Sequence, residues 1–178
     1  MTRRIQKTVP DIETLEDFHI AAYLVEDECG ECLLSLAHQM EVHHNPLMAE
    51  LFERLADMRK RSAAEIFAAM EPEWRKNIYM RDLRWLGESC PGAVDILSAH
   101  YRMQPWHGYR LALSAFDRIH DFYDEIAVET ENDAVRRHAI DLRARIAADI
   151  RALEEELATI PEPEAAWDHD DDPPMIQE

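Results

Sequence analysis

Apolar residues recur every three or four positions over four long segments of the chain, a spacing typical of amphipathic helices. The first segment begins at Thr14, which has capping-box spacing with Asp17, and runs to about Met40. Its predicted inward residues are Leu15, Phe18, Ala22, Val25, Cys29, Leu33, Leu36 and Met40.

The second segment begins at Asn45-Pro46, because asparagine caps helices well and proline fits their first turn. Its predicted inward residues are Met48, Leu51, Phe52, Leu55, Met58, Ile66 and Met70. The two segments predict a helical hairpin.

A second hairpin follows after a long connection. Residues 71–104 are too many for a tight turn and predict a crossover, which contains a short helix from Pro72 to Leu86. Pro105 opens a third long helix and Asn132-Asp133 caps a fourth. The inward residues of the third are Leu113, Phe116, Ile119, Tyr123 and Ile126, and those of the fourth are Val135, Ala139, Leu142, Ile146, Ile150, Leu153 and Leu157. The pattern predicts an all-α chain that folds as hairpin, crossover and hairpin.

Composition agrees with a single helical domain. The 178 residues are 47% hydrophobic and 31% charged, with only 4 glycines. Residues 14–160 are predicted to form this domain, preceded by an N-terminal extension over residues 1–13. Residues 161–178 are rich in proline and acidic residues and are predicted to form a disordered tail, because they have little to bury. Its Asp168-His169-Asp170 segment could bind cations loosely, but a solvated tail is the simpler interpretation.

Charge and targeting signals restrict the partners and the compartment. The formal net charge of -18 argues against nucleic acid and against anionic membranes, since both would be repelled. No apolar run has the length of a signal peptide or a membrane span, which predicts a cytoplasmic protein. Cys29, Cys32 and Cys90 are expected to remain thiols there. The Cys29-Gly30-Glu31-Cys32 segment has redox-motif spacing, but it lies inside a predicted helix, where core packing of Cys29 is favoured.

Two hairpins joined by one long crossover is the connectivity of ferritin-like four-helix bundles. Short segments of this chain resemble the rubrerythrin family within that group over roughly residues 14 to 158. The segments that carry the resemblance are Glu26, Leu36-Ala37, Asn45-Pro46, residues 51–58, Leu111-Ala112-Leu113, Phe122-Tyr123 and Ala127. The resemblance implies a ferritin-like four-helix bundle, a homodimer, and a di-iron centre held by one Glu and one Glu-x-x-His pair from each half.

Most of the implied iron ligands are replaced in this chain. The resemblance places the six ligand positions on Glu26, Arg59, Ser62, Phe116, Ile146 and Asp149. Only Glu26 and Asp149 carry carboxylates. The position of the family's usual tyrosine on the first helix is occupied by Leu33, whereas the tyrosine of the third helix is present as Tyr123. Two irons need several anionic oxygens together with imidazoles. No cofactor is therefore expected.

The replaced positions suggest how the chain could compensate for a missing metal. An inward Glu26 without a metal would be a buried, unpaired charge, and Arg59 presents a guanidinium on the facing helix. We predict a buried Glu26–Arg59 ion pair in the place of the metal, with Phe116 and Ile146 filling the remaining space.

Other histidines offer an alternative, displaced metal site. Glu16-x-x-His19 and Asp117-x-x-His120 each put a carboxylate and an imidazole on one helical face. His19 lies two turns before Glu26, so His19, Glu26 and His120 could together hold a metal. A single imidazole at the edge of a core is more often a hydrogen-bonded structural residue.

Two functions from different classes follow. The favoured one is a non-enzymatic binding or regulatory protein that keeps the rubrerythrin-like scaffold without its di-iron chemistry. The alternative is an iron-handling or peroxide-reducing di-iron protein with an atypical ligand set, in which case iron is the expected cofactor.

Overall fold

A computed structural model of the chain describes residues 12–78, 89–96 and 99–164. These residues form five helices in the order α1 (Leu15–Val42), α2 (Pro46–Ala69), α3 (Pro72–Asn77), α4 (Pro105–Glu129) and α5 (Asp133–Leu157). The described part of the chain contains no β-strand. α1 packs chiefly on α2, and α4 packs chiefly on α5. The predicted all-α bundle of two hairpins is confirmed.

The helix starts follow from their capping residues. The Thr14 hydroxyl accepts a hydrogen bond from the Asp17 N–H at 3.1 Å, and the Asp17 carboxylate accepts one from the Thr14 N–H at 3.0 Å. This is the predicted capping box. Asn132 caps α5 by accepting from the N–H groups of Ala134 and Val135.

Asn45 links the first hairpin to the end of the crossover. Its side-chain oxygen caps α2 by accepting from the N–H of Met48 at 3.3 Å. Its side-chain nitrogen donates to the carbonyls of Tyr101 and Met103, at 3.2 and 2.9 Å. The turn between α1 and α2 is thereby fixed beside the point where the chain enters α4.

The crossover lies against α1. Only residues 72–77 of the predicted Pro72–Leu86 helix are α-helical among those described, and residues 79–88 lie outside the described residues. Further along the crossover, Gly92 lies close to the backbone of α1. A Cβ at this position would be only 2.0 Å from the Val25 carbonyl oxygen. The crossover therefore covers a face of α1 that would otherwise meet solvent.

One hydrophobic core joins the four long helices. The predicted inward residues are buried or packed against that core. α1 is enclosed more completely than the others, since every residue from Asp17 to Ala22 is buried. None of the described helices has an apolar stretch long enough to cross a bilayer. Of the predicted N-terminal extension and tail, only residues 12–13 and 161–164 are described.

Candidate functional site

Arg59 lies inside the bundle, where its guanidinium joins three helices. The side chain is 2% exposed. Nη1 donates to Glu26 Oε2 on α1 at 2.9 Å, and Nη2 donates to Asp149 Oδ2 on α5. A single cation on α2 thus contacts carboxylates from both hairpins.

Glu26 is equally buried and accepts hydrogen bonds from several sides. Its Oε1 accepts from the hydroxyl of Tyr123 on α4 at 3.0 Å, and its Oε2 accepts from Arg59 on α2 at 2.9 Å. The carboxylate therefore receives donors from α2 and α4. Such multiple donation is what a buried carboxylate needs to offset its loss of water.

Apolar side chains complete the surroundings of the guanidinium. Arg59 Cζ lies 4.4 Å from the centre of the Phe116 ring, within the range of a cation–π interaction. Ile146 is 1% exposed and belongs to the same core. The Nε atom of Arg59 is buried and has no hydrogen-bond partner among the described residues.

The charges of this group are mutually dependent. Burial raises the pKa of Glu26, while the charge of Arg59 and the hydrogen bonds from Tyr123 and Ser62 act in the opposite direction. For Arg59, burial alone would lower the pKa, but Glu26 and Asp149 outweigh it and raise the pKa overall. We assign the pair as ionised, because a guanidinium does not release its proton and would otherwise lack compensation.

Tyr123 remains a hydrogen-bond donor in this environment. Burial raises its pKa well above the ordinary value, and the neighbouring Glu26 raises it further. A protonated phenol agrees with the 3.0 Å contact, in which Tyr123 donates and Glu26 accepts.

A surface cleft reaches the outer end of this group. Asp149 is 35% exposed, in contrast to the fully buried Glu26. A cleft of about 340 Å³ is lined by Met58, Arg59, Arg61, Ser62, Glu65, Arg145 and Asp149. Solvent and small solutes can therefore approach the Arg59–Asp149 contact from one side of the bundle.

The candidate metal ligands are not all in one place. The structure brings Glu26, Arg59 and Asp149 together. It places His19 beside His138, whereas Nδ1 of the partly exposed His120 lies 3.3 Å from the Asp121 carboxylate. Within residues 12–78, 89–96 and 99–164, no three or more His, Cys, Asp or Glu side chains have an arrangement that could hold a metal ion. His19, Glu26 and His120 therefore do not form one site.

The di-iron centre implied by the family resemblance does not fit these residues. A guanidinium lies between the two carboxylates, so an incoming iron ion would meet a fixed positive charge. No histidine belongs to the group formed by Glu26, Arg59, Asp149, Tyr123 and Ser62. These side chains can bind one another, and they can expose a hydrogen-bonded ion pair to the cleft.

The sequence predicts only part of this arrangement. It indicates Asp149 as a remaining carboxylate but not as the second acceptor of Arg59, and it indicates Ser62 only as a lost ligand position. The available signal was helical spacing, since Arg59 and Ser62 are three residues apart and so share one face of α2.

The cysteines do not form a redox site with a stabilised thiolate. Cys29 is fully buried, and burial raises the pKa of its thiol. Burial also raises the pKa of Cys90 to about 12. Both groups are thiols near neutral pH, and Cys29 packs in the core as predicted.

Comparison with known proteins supports the fold without identifying an activity. No protein-family model matches the chain, and no curated protein matches it. The chain is similar to the 2.00 Å crystal structure of an uncharacterized conserved protein from Magnetospirillum magnetotacticum MS-1. The two are 25% identical with a TM-score of 0.61, and the match covers 85% of this chain and 98% of the other. The helical architecture is thus found in another protein over nearly all of that protein's length.

Proposed function

We infer that this protein is a rubrerythrin-related, ferritin-like bundle that has lost its di-iron chemistry and acts as a non-enzymatic binding or regulatory protein. The observation that carries this proposal is the buried guanidinium of Arg59 between Glu26 and Asp149, at positions where the family resemblance implies metal ligands. The proposal includes a cytoplasmic location and a homodimer, both taken from the sequence and the resemblance. The mass of the purified protein by light scattering tests the dimer.

The charge balance explains why the group would be stable without metal. Arg59 contributes one positive charge, which is shared by two carboxylates, and Tyr123 donates to Glu26. A fixed cation that is already hydrogen-bonded performs the structural task of a metal, because it compensates the buried Glu26 carboxylate, which water cannot reach. It offers no open coordination position and no change of oxidation state.

Iron content tests this proposal directly. Protein produced with excess iron and then desalted is expected to retain less than about half an equivalent of iron per chain, because two carboxylates facing an arginine are too few ligands. It is also expected to reduce peroxide no faster than the same amount of free iron. Metal analysis by mass spectrometry and a peroxide-consumption assay measure both quantities.

A variant with part of the ligand set restored provides the matched control. Arg59→Glu combined with Ser62→His rebuilds a Glu-x-x-His pair on α2 opposite Glu26. It is expected to bind about one iron per chain, since it supplies two carboxylates and one imidazole to a single ion. Two irons on the wild-type chain, with peroxide turnover that Glu26→Gln abolishes, would instead establish the di-iron alternative.

A further inference from the structure

Two histidines from different helices meet at the edge of the bundle. His19 on α1 is 5% exposed, whereas His138 on α5 is exposed to solvent. Nε2 of His19 and Nδ1 of His138 are 3.2 Å apart. These residues are 119 positions apart in the sequence, so only the folded bundle brings them together.

The His19 ring is held in place by aromatic neighbours. The edge contact with Trp74 on α3 has a distance of 5.6 Å between ring centres, and the ring of Phe18 lies 6.0 Å away. Nδ1 of His19 is buried without a partner among the described residues, so the contact with His138 leaves the hydrogen-bonding capacity of this imidazole incompletely used. The orientation of a buried, rigid ligand is set before an ion arrives.

The separation of the two rings fits two ligands of one metal ion. The ring centres of His19 and His138 are 4.9 Å apart and the rings are inclined at 63°. A linear hydrogen bond of the observed length would put the ring centres roughly 5.5 Å apart. A metal about 2.05 Å from both nitrogens, with a bond angle of about 100°, gives nitrogens roughly 3.1 Å apart and ring centres roughly 4.9 Å apart. The observed distances accommodate the second arrangement, and they equally allow a bent hydrogen bond between the two nitrogens.

We propose that His19 and His138 form a binding site for one divalent transition-metal ion of the class of Cu²⁺, Zn²⁺ or Ni²⁺, which links α1 to α5. Neutral imidazoles are preferred ligands of these ions, and solvent fills the remaining coordination positions. The net charge of -18 favours the approach of a cation. The site is separate from the Arg59 group and takes a single ion rather than a pair of irons.

The protonation state of His19 agrees with this role. Burial lowers the pKa of His19, and the neighbouring His138 lowers it further. A neutral imidazole keeps a ring-nitrogen lone pair that can bind a metal, whereas a protonated imidazole has none.

Copper titration tests the site, with the contact between Trp74 and His19 as an optical reporter. Cu²⁺ added to the full chain is expected to bind at one equivalent, to quench the fluorescence of Trp74, and to show two nitrogen ligands by electron paramagnetic resonance. His138→Gln is the decisive variant, because an exposed side chain can be replaced without disturbing the core. We expect its affinity for Cu²⁺ to fall by at least about tenfold, since even outer-shell changes cost roughly 10- to 100-fold in metal affinity.

Three control variants locate the signal. Trp74→Phe should remove most of the quenching but none of the binding. His169→Ala in the acidic tail and His120→Gln on α4 should leave the affinity and the two-nitrogen spectrum unchanged. If His138→Gln keeps both, or if His169→Ala abolishes them, the ion binds elsewhere and the proposal is wrong. Copper binding is measured at the His19–His138 pair and iron retention at the Arg59 group, so the two results are independent.

Discussion

Replacing Arg59 by methionine is expected to lower the free energy of unfolding by about 3 to 5 kcal/mol, because it leaves a buried carboxylate without its counter-charge. Glu26→Leu should be comparably costly, since it leaves the 2%-exposed guanidinium with only the partly exposed Asp149. The double variant should recover much of the loss, because apolar residues of similar volume often replace a buried ion pair at little net cost. Urea denaturation followed by circular dichroism gives the four free energies of the double-mutant cycle.

The pH dependence of the Arg59→Met variant provides a further check. Without Arg59, burial still raises the pKa of Glu26 in the folded state above its unfolded value. The folded variant then binds the proton more tightly than the unfolded chain does, so the variant loses stability as pH rises through the folded-state pKa of Glu26. The difference from the wild-type protein should therefore be smallest near pH 4 to 5, roughly the ordinary range of a Glu carboxyl.

An exposed ion pair is the matched control for this cycle. Arg145 Nη1 lies 3.2 Å from Glu65, and both side chains are more than half exposed, at 58% and 68%. Arg145→Met should change stability by no more than about 0.5 kcal/mol, because exposed pairs contribute little. If Arg59→Met changes the free energy of unfolding as little as Arg145→Met does, or if the effects of Arg59→Met and Glu26→Leu simply add, Glu26 and Arg59 do not form the coupled buried pair that the proposed function requires.

The second large effect is expected at Gly92 in the crossover. A Cβ at this position would lie 2.0 Å from the Val25 carbonyl oxygen and 3.2 Å from Cys29 Cβ. The first of these atoms belongs to the backbone of a buried helix, which cannot rotate away as a side chain does. Gly92→Ala should therefore destabilise the protein by about 1 to 3 kcal/mol, the usual cost of an overpacked contact. Thermal or urea denaturation measures it.

Gly30 on α1 provides the contrasting substitution. The three atoms nearest to a Cβ at this position would be methylene carbons of the Lys60 side chain, at 2.9 to 3.0 Å. A lysine stem can move, and alanine favours a helix over glycine by about 1 kcal/mol. Gly30→Ala should therefore be neutral or mildly stabilising. Equal losses of stability for Gly30→Ala and Gly92→Ala would show that the crossover does not contact α1 as closely as in this structure.

These effects bear on the proposed function through the location of the charges. Arg59 ties α2 to both α1 and α5, and the ion pair with Asp149 borders the surface cleft.

The helices and most of their inward faces can be predicted from the amino-acid sequence. Periodicity selects which residues of a helix face the core, and Thr14, Asn45 and Asn132 mark the helix starts through their own short-range hydrogen bonds. These signals act within a few residues, so they can be read without knowing the fold. The separation into two hairpins follows from the long connection between them.

Most contacts between side chains of different helices could not be predicted from the sequence and depend on how the helices pack. Arg59 and Asp149 are 90 positions apart, and His19 and His138 are 119 apart. Helical spacing places each of them on a face of its own helix, but the axial position of one helix against another depends on core packing and on the crossover. For the same reason, the spacing of apolar residues does not show that the crossover covers α1. This covering buries His19 and places Gly92 against the Val25 carbonyl. Contacts between the two hairpins depend on the packing of the whole bundle, so no local sequence pattern predicts them.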